Sequence, residues 1–176
     1  MNIVVFDVET QHTFDEVGGR QNIRKLGLSA AVTYTPADGV YRHYTEETVA
    51  GLIEQLKAAD LVVGFNCLSF DYEVLRAYTD EPLERLPTVD MLDHVYRTLG
   101  FRVGLDGLAG ATLGAKKSAD GLQAVQWFRE GRLQEILDYC QQDVAVTWQL
   151  YDYGCKQKHV KYRDRRYRLC TCQVNW

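Results

Sequence analysis

The sequence predicts an α/β fold, and three observations carry that expectation. Short β-branched runs, Ile3-Val4-Val5-Phe6 and Leu61-Val62-Val63, have the continuous apolar character of strands covered on both faces. Apolar residues at i, i+3, i+4 and i+7, such as Val49, Leu52, Ile53 and Leu56, mark amphipathic helices between and after those strands. A last long helix, roughly 132–153, carries its own apolar stripe of Leu133, Ile136, Leu137, Cys140 and Val144.

At 176 residues the chain has the length of one domain with a sizeable core. Its 46% hydrophobic and 25% charged residues match a soluble globular composition, and no internal repeat or low-complexity segment interrupts it. No apolar run reaches the ~18–20 residues of a membrane helix. The first apolar run stops at Asp7, too early for a signal peptide. Cysteines 67, 140, 155, 170 and 172 have no metal-finger spacing, and an odd number without a signal points to free thiols in a reducing compartment. A cytoplasmic location is therefore expected, with no membrane partner. The net charge of −4 hides an asymmetry: residues 155–176 carry +6 and the remainder −10. The reading is a domain over 1–154 and a basic extension over 155–176 packed on it. That extension is either a grip on a polyanion or a solvated tail.

Taken in order, Ile3-Val4-Val5-Phe6-Asp7-Val8-Glu9-Thr10 reads as a central strand. Residues 11–21 have no period, Gly18-Gly19 marks a loop, and this loop leaves from the acidic end of the strand. Residues 26–35 and 40–44 read as a hairpin turned by Pro36-Ala37-Asp38-Gly39. Thr45 is the expected N-cap of the Val49–Leu56 helix, with Glu46 and Glu47 in its first turn. A short strand from Leu61 to Asn66 precedes a helix that begins at Asp71 and presents Asp71, Val74, Leu75 and Tyr78 on one face. Thr88-Val89-Asp90 is a strand end. Met91, Leu92, Val95 and Leu99 then form a helix stopped by Gly100, and Leu105, Leu108, Thr112 and Leu113 another stopped by Gly114. After Lys116-Lys117 comes a helix with Leu122, Val125 and Trp127-Phe128, then the long helix. Residues 157–175 read as a basic hairpin around Asp164-Arg165.

Four acids stand apart from ordinary surface charge. Alternation along a strand puts Asp7 and Glu9 on one face, where like charges repel unless a cation sits between them. Asp71 shares a face with core residues, which is costly for an ionised group unless it is paired or metal-bound. Tyr139 and Asp143, at i and i+4, stack on one side of the last helix. The first two features have plain alternatives: an acidic strand end in solvent for Asp7 and Glu9, and a helix-start Asp favoured by the dipole for Asp71.

The order Asp7-x-Glu9, then Asn66-x-x-x-Phe70-Asp71, then Tyr139-x-x-x-Asp143 resembles the DEDD (DnaQ-like) exonucleases, in the branch with Tyr four residues before the last Asp. Asp90-Met91-Leu92, Leu99-Gly100-Phe101-Arg102 and Leu105-Asp106-Gly107-Leu108-Ala109 are similar to the connecting region of RNase D and of family B polymerase-like exonucleases. Phe6 to Gln11, Glu16-Val17-Gly18-Gly19 and Tyr139 to Val144 are most similar to the YprB-like ribonuclease-H-like proteins, which are often associated with helicases. The resemblance runs over nearly the whole chain, except that Arg163 to Arg168 is more basic than the family leads one to expect. It implies a ribonuclease-H-like mixed β-sheet flanked by α-helices, two divalent metals and 3′→5′ removal of nucleotides from single-stranded DNA or RNA.

Phosphodiester hydrolysis needs such a set. A bound cation lowers the pKa of water from about 16 toward 7, and a second one stabilises the leaving oxygen. Mg²⁺ and Mn²⁺ prefer carboxylate and water oxygens, in keeping with four acids and no His or Cys cluster. By resemblance, Asp7, Glu9 and Asp143 hold one metal, Asp7 bridges to the second with support from Asp71, and Tyr139 orients the attacking water. Thr10, Asn66 and Phe70 are expected near the terminal nucleotide, Phe70 either stacking a base or packing in the core. Lys116 and Lys117 either track phosphates or serve solubility. The rival readings are a structure-selective endonuclease on the same carboxylates, a non-catalytic nucleic-acid-binding accessory of a helicase, and a small-nucleotide hydrolase.

Overall fold

Strand β1 (Ile3–Thr10) is the middle strand of a five-stranded sheet in a computed structural model that describes residues 1–115 and 121–176. On one side β1 pairs antiparallel with β2 (Leu28–Thr35), which pairs antiparallel with β3 (Val40–Tyr44). On the other it pairs parallel with β4 (Leu61–Gly64), which pairs parallel with β5 (Thr88–Asp90). The sheet is thus mixed, as the resemblance implied, in the order β3-β2-β1-β4-β5. Its helices are α1 (Val49–Lys57), α2 (Asp71–Leu75), α3 (Met91–Leu99), α4 (Leu105–Leu113), α5 (Gly121–Arg129) and α6 (Leu133–Gln157). Among the described residues none is long and apolar enough to cross a membrane.

The alternation along β1 sorts the core into two layers. Val4, Phe6 and Val8 face α1 and α2, where Leu52, Leu56, Tyr72 and Leu75 close the layer. Val5 faces the other way, with Ala30, Val32 and Val63, toward α3, α4, α5 and α6. Asp7 and Glu9 follow Val5 at the same period, so both carboxylates project toward α6. The stripe expected for α1 is buried throughout: Val49, Leu52, Ile53 and Leu56 all face the sheet. Full burial of a leucine such as Leu52 contributes about 1.5–3 kcal/mol.

Local rules set most boundaries. Gly100 ends α3 in the left-handed conformation at φ 78°, which glycine enters without steric penalty. The Thr45 N–H donates to Thr48 Oγ1 at 2.9 Å, but a three-residue 3₁₀ turn, Glu46–Thr48, separates Thr45 from α1. Other expectations are corrected. β4 stops at Gly64 rather than Asn66. α2 ends at Leu75, because the Ala77 and Tyr78 N–H groups take tighter i−3 bonds to Val74 and Leu75. The Tyr78 hydroxyl then accepts from the Leu28 N–H at 2.8 Å and donates to Glu46 at 2.6 Å. The 11–21 loop runs into a 3₁₀ segment, Arg20–Lys25. Leu122 on α5 and Leu133 on α6 are exposed instead of buried.

Beyond α6 the chain forms an antiparallel hairpin, β6 (His159–Arg163) and β7 (Leu169–Gln173). Val160, Cys172 and Val174 join the same buried layer as Leu150 and Tyr151 of α6. Trp176 lies over Gly154, where any Cβ would collide with the indole, and its Nε1–H donates to the Tyr151 carbonyl at 3.1 Å. One face of the hairpin therefore packs on the core, and the rest of it is half-buried or exposed. All five cysteines are free thiols.

Candidate active site

β4 leaves β1 early: their register runs only from Ile3 opposite Leu61 to Val5 opposite Val63. Past that point the β1 edge has no strand beside it, and its N–H groups need other partners. Asp71, the first residue of α2, supplies one by accepting the Val8 N–H on Oδ1 at 3.1 Å. This buried contact brings a third carboxylate to the strand between Asp7 and Glu9. On the opposite edge the register with β2 slips between Glu9 and Thr10, so that Ala30 and Leu28 are paired and Ser29 is passed over. Such a bulge re-aims the side chains beside it. From above, α6 contributes Tyr139 and Asp143 one turn apart, with Cys140 buried against β1.

Asp7, Glu9, Asp71, Tyr139 and Asp143 all line one cavity of about 500 Å³. Its remaining wall includes Thr10, His12, Phe14, Phe65, Phe70 and Leu122. No Lys or Arg is among the described lining residues. The electrostatic consequence is large. Burial raises the Asp7 carboxyl well above the usual range, and the charges of Asp71, Glu9 and Asp143 push it further. Glu9 is raised by burial and by the charges of Asp143 and Asp71. Asp71 is pushed up to about 7 by burial, held back by backbone hydrogen bonds including that from Val8. Burial, then the charges of Glu9, Asp143 and Asp7, raise the Tyr139 hydroxyl far above its ordinary value, so it stays protonated at any neutral pH.

The donor set fits a hard divalent cation. Buried carboxylates in mutual repulsion are what a cation relieves, and oxygen donors are those that Mg²⁺ and Mn²⁺ prefer. Ligand atoms of Asp7, Glu9 and Cys140 lie within 4.8 Å of one another. The Cys140 thiol, however, is held protonated by burial and by the adjacent Asp7, Glu9 and Asp143. It sits 3.3 Å from the Asp7 carbonyl and 3.7 Å from Asp7 Oδ2, within donor reach of both. A neutral thiol is a poor ligand for such an ion, so the metal-binding capacity rests on the carboxylates.

The expected nucleotide contacts divide. Thr10 is buried at the cavity wall with its hydroxyl donated to the His12 carbonyl at 3.0 Å. Phe70 is half-buried there, edge-on to Phe14 at 6.0 Å between ring centres, and also packs on the core. Asn66 is not among the residues that line the cavity. It stands at φ 68°, its N–H donating to Asp90 Oδ1 at 2.8 Å and its side-chain oxygen accepting from Arg102 at 2.6 Å. Lys116 and Lys117 lie outside the described residues.

Sequence reasoning misses Cys140 as anything but core, although its place directly after Tyr139 is a usable signal. It also passes over Phe14 and His12 in an aperiodic loop. Asp90 is legible in the sequence only as a strand end; its buried carboxylate accepts N–H bonds from Asn66, Leu68, Leu92 and Asp93 and so knits β5, α3 and the loop after β4 together.

The comparisons agree with this architecture. No curated protein matches the chain. Among solved structures it is similar to the family B DNA polymerase from the hyperthermophilic archaeon Pyrobaculum calidifontis, with a TM-score of 0.66 at 18% identity over 88% of this chain. The match spans 24% of the polymerase's length, and at that identity the likeness is one of fold. The RNase H superfamily matches residues 4–155. That span takes in β1, Asp71 and the Tyr139–Asp143 turn of α6, and the chain belongs to the RNase H superfamily.

Proposed function

We propose that the protein is a metal-dependent 3′→5′ exonuclease of the DEDD type with tyrosine, acting on single-stranded DNA or RNA. One observation supports this reading above the others: four carboxylates from β1, α2 and α6 meet Tyr139 around a single cavity without a lysine or arginine among its described lining residues. Asp7, Glu9, Asp71 and Asp143 are the residues that would hold divalent cations, Mg²⁺ or Mn²⁺. Bound there, such cations make hydroxide available near neutral pH and offset charge on the leaving oxygen.

The chain's own groups do the positioning. The Tyr139 hydroxyl stays protonated and bonded to Asp143, so it orients the attacking water and does not act as the base. Its ring is braced edge-on by Trp127 of α5 at 6.3 Å. The Cys140 thiol keeps the Asp7 carboxylate turned toward the cavity. Phe14 and Phe70 offer an apolar wall for the terminal base, worth about 1–3 kcal/mol per stacked base.

The test is incubation with Mg²⁺ or Mn²⁺ and end-labelled single- and double-stranded DNA and RNA. A ladder descending from the 3′ end supports the proposal. Internal cuts assign an endonuclease to the same carboxylates, and binding without cleavage a non-catalytic module. Cleavage that persists in EDTA overturns the metal-dependent reading.

A further inference from the structure

A second concavity of about 890 Å³ lies between the α3–α4 connection and the β6–β7 hairpin. Arg102, Arg163, Arg165, Arg166 and Arg168 line it, with Asp164 as its one acid among the described residues. That acid is already engaged. Asp164 Oδ1 accepts the Arg166 and Arg168 N–H groups at 2.8 and 3.0 Å, and Oδ2 holds the Arg168 guanidinium at 2.7 Å. Asp164 therefore builds the turn and cancels one arginine, leaving four positive charges facing a shared space. Among the described residues, the guanidinium groups of Arg165 and Arg166 form no ion pair with a carboxylate; Arg166 meets Asp164 only through its backbone N–H. Arg163 is steered by its bond to the Tyr167 carbonyl at 3.0 Å.

The groove also carries π surface. Phe101 is exposed and meets Tyr162 edge-on at 5.7 Å between ring centres. Guanidinium groups interleaved with aromatic faces suit a flexible phosphodiester chain, whose phosphates take the charge and whose bases stack without sequence preference. A flat acidic protein surface would use the charges and leave the rings idle. The base of the hairpin that carries the groove is fastened into the core by Val160, Cys172 and Trp176. One link joins the groove to the acidic cavity: Phe65 lines the cavity, and the next residue, Asn66, accepts a hydrogen bond from Arg102 of the groove.

We infer that this arginine groove binds the backbone of a single-stranded nucleic acid whose 3′ end occupies the acidic cavity, holding the strand on the 5′ side of the reacting linkage. The inference rests on the exonuclease reading for its direction. It supplies what that reading lacks, since the body outside the hairpin segment carries −10 and repels a polyanion while residues 155–176 carry +6.

The experiment compares fluorescein-labelled (dT)3, (dT)12 and (rU)12, bound by fluorescence anisotropy in Ca²⁺ across a salt series. The proteins are wild type and the quadruple variant Arg102→Gln, Arg163→Gln, Arg165→Gln, Arg166→Gln. Arg168 is kept because it holds the turn. The variant should bind the 12-mers on the order of 10-fold more weakly at low salt, with the log–log salt slope reduced by about 0.7 for each phosphate that is no longer neutralised. The affinity for (dT)3 should change far less, and the same four positions as lysine should restore the slope. A weakening on (dT)12 or on (rU)12 alone names the strand the groove takes. Equal affinity and slope in variant and wild type overturns the inference and leaves the groove to an acidic protein partner. Equal weakening on (dT)3 and the 12-mers overturns it too. Hydrolysis of thymidine 5′-monophosphate p-nitrophenyl ester by wild type tests the acidic cavity separately, so failure of the groove and failure of the nuclease reading are distinguishable.

Discussion

The backbone N–H of Val8 donates to Asp71 Oδ1 at 3.1 Å, tying the first residue of α2 to the strand midway between Asp7 and Glu9. One side chain thus completes the hydrogen bonding of β1 and adds a carboxylate to the cavity. The two roles separate by substitution. Asp71→Asn keeps an oxygen for the Val8 N–H and loses the charge, whereas Asp71→Ala strands that buried donor. Asp71→Ala should be less stable than Asp71→Asn by about 1–3 kcal/mol in urea unfolding without metal. Both should lose cleavage. Equal stabilities would mean that the Val8 hydrogen bond contributes nothing.

The Cys140 thiol lies 3.7 Å from Asp7 Oδ2 and 3.3 Å from the Asp7 carbonyl, and if it orients the carboxylate its loss should show in metal binding. Cys140→Ala should weaken Mg²⁺ or Mn²⁺ binding by about 10–100-fold, the usual cost of removing a group that orients a metal ligand. Isothermal titration calorimetry measures this without substrate. An unchanged dissociation constant would reduce the thiol to core filling.

Tyr139→Phe retains the ring packed against Trp127 and deletes only the hydroxyl. Turnover should fall by ~10²–10⁴-fold, the range of a positioning or proton-handling group, with metal and oligonucleotide affinity nearly unchanged. The check is single-turnover cleavage beside equilibrium binding. Full activity in this variant would remove the tyrosine from the mechanism.

Without metal, stability should fall as pH rises from about 6.5 to 8. Asp7, Glu9 and Asp71 have folded pKa values raised above their unfolded ones, the last to about 7. The folded protein therefore holds protons that the unfolded chain has already released. Their contribution is complete below about pH 4 and is lost as the pH passes through the raised values. The exposed acids with lowered values, such as Glu16 and Asp164, act only at lower pH, and His94, lowered by burial, acts below about 6.5. Added Mg²⁺ or Mn²⁺ should reverse the trend, because the cations bind the deprotonated carboxylates. Asp7→Asn should flatten the metal-free profile and raise the melting temperature at the alkaline end. Thermal melts in EDTA and in metal, at both ends of that pH range, decide the matter.

The sequence by itself determined what local periodicity and stereochemistry control. Alternation placed Asp7 and Glu9 on one face of β1, and a spacing of four placed Tyr139 and Asp143 on one turn of α6. The buried stripe of α1, the stops at Gly100 and Gly114 and both hairpins follow from the same short-range rules. The order of acids along the chain also carried the resemblance to a ribonuclease-H-like fold. Only the tertiary structure decided which groups meet across long separations. The early end of β4 gave the Val8 N–H to Asp71, and Asn66 found its partners in the Asp90 carboxylate and the Arg102 guanidinium. The approach of α6 to β1 brought a core cysteine against Asp7, and the docking of the hairpin on α6 set its arginines beside Arg102. Such meetings depend on where distant backbones come to rest once the two apolar layers have closed, and no periodicity within a single element records that.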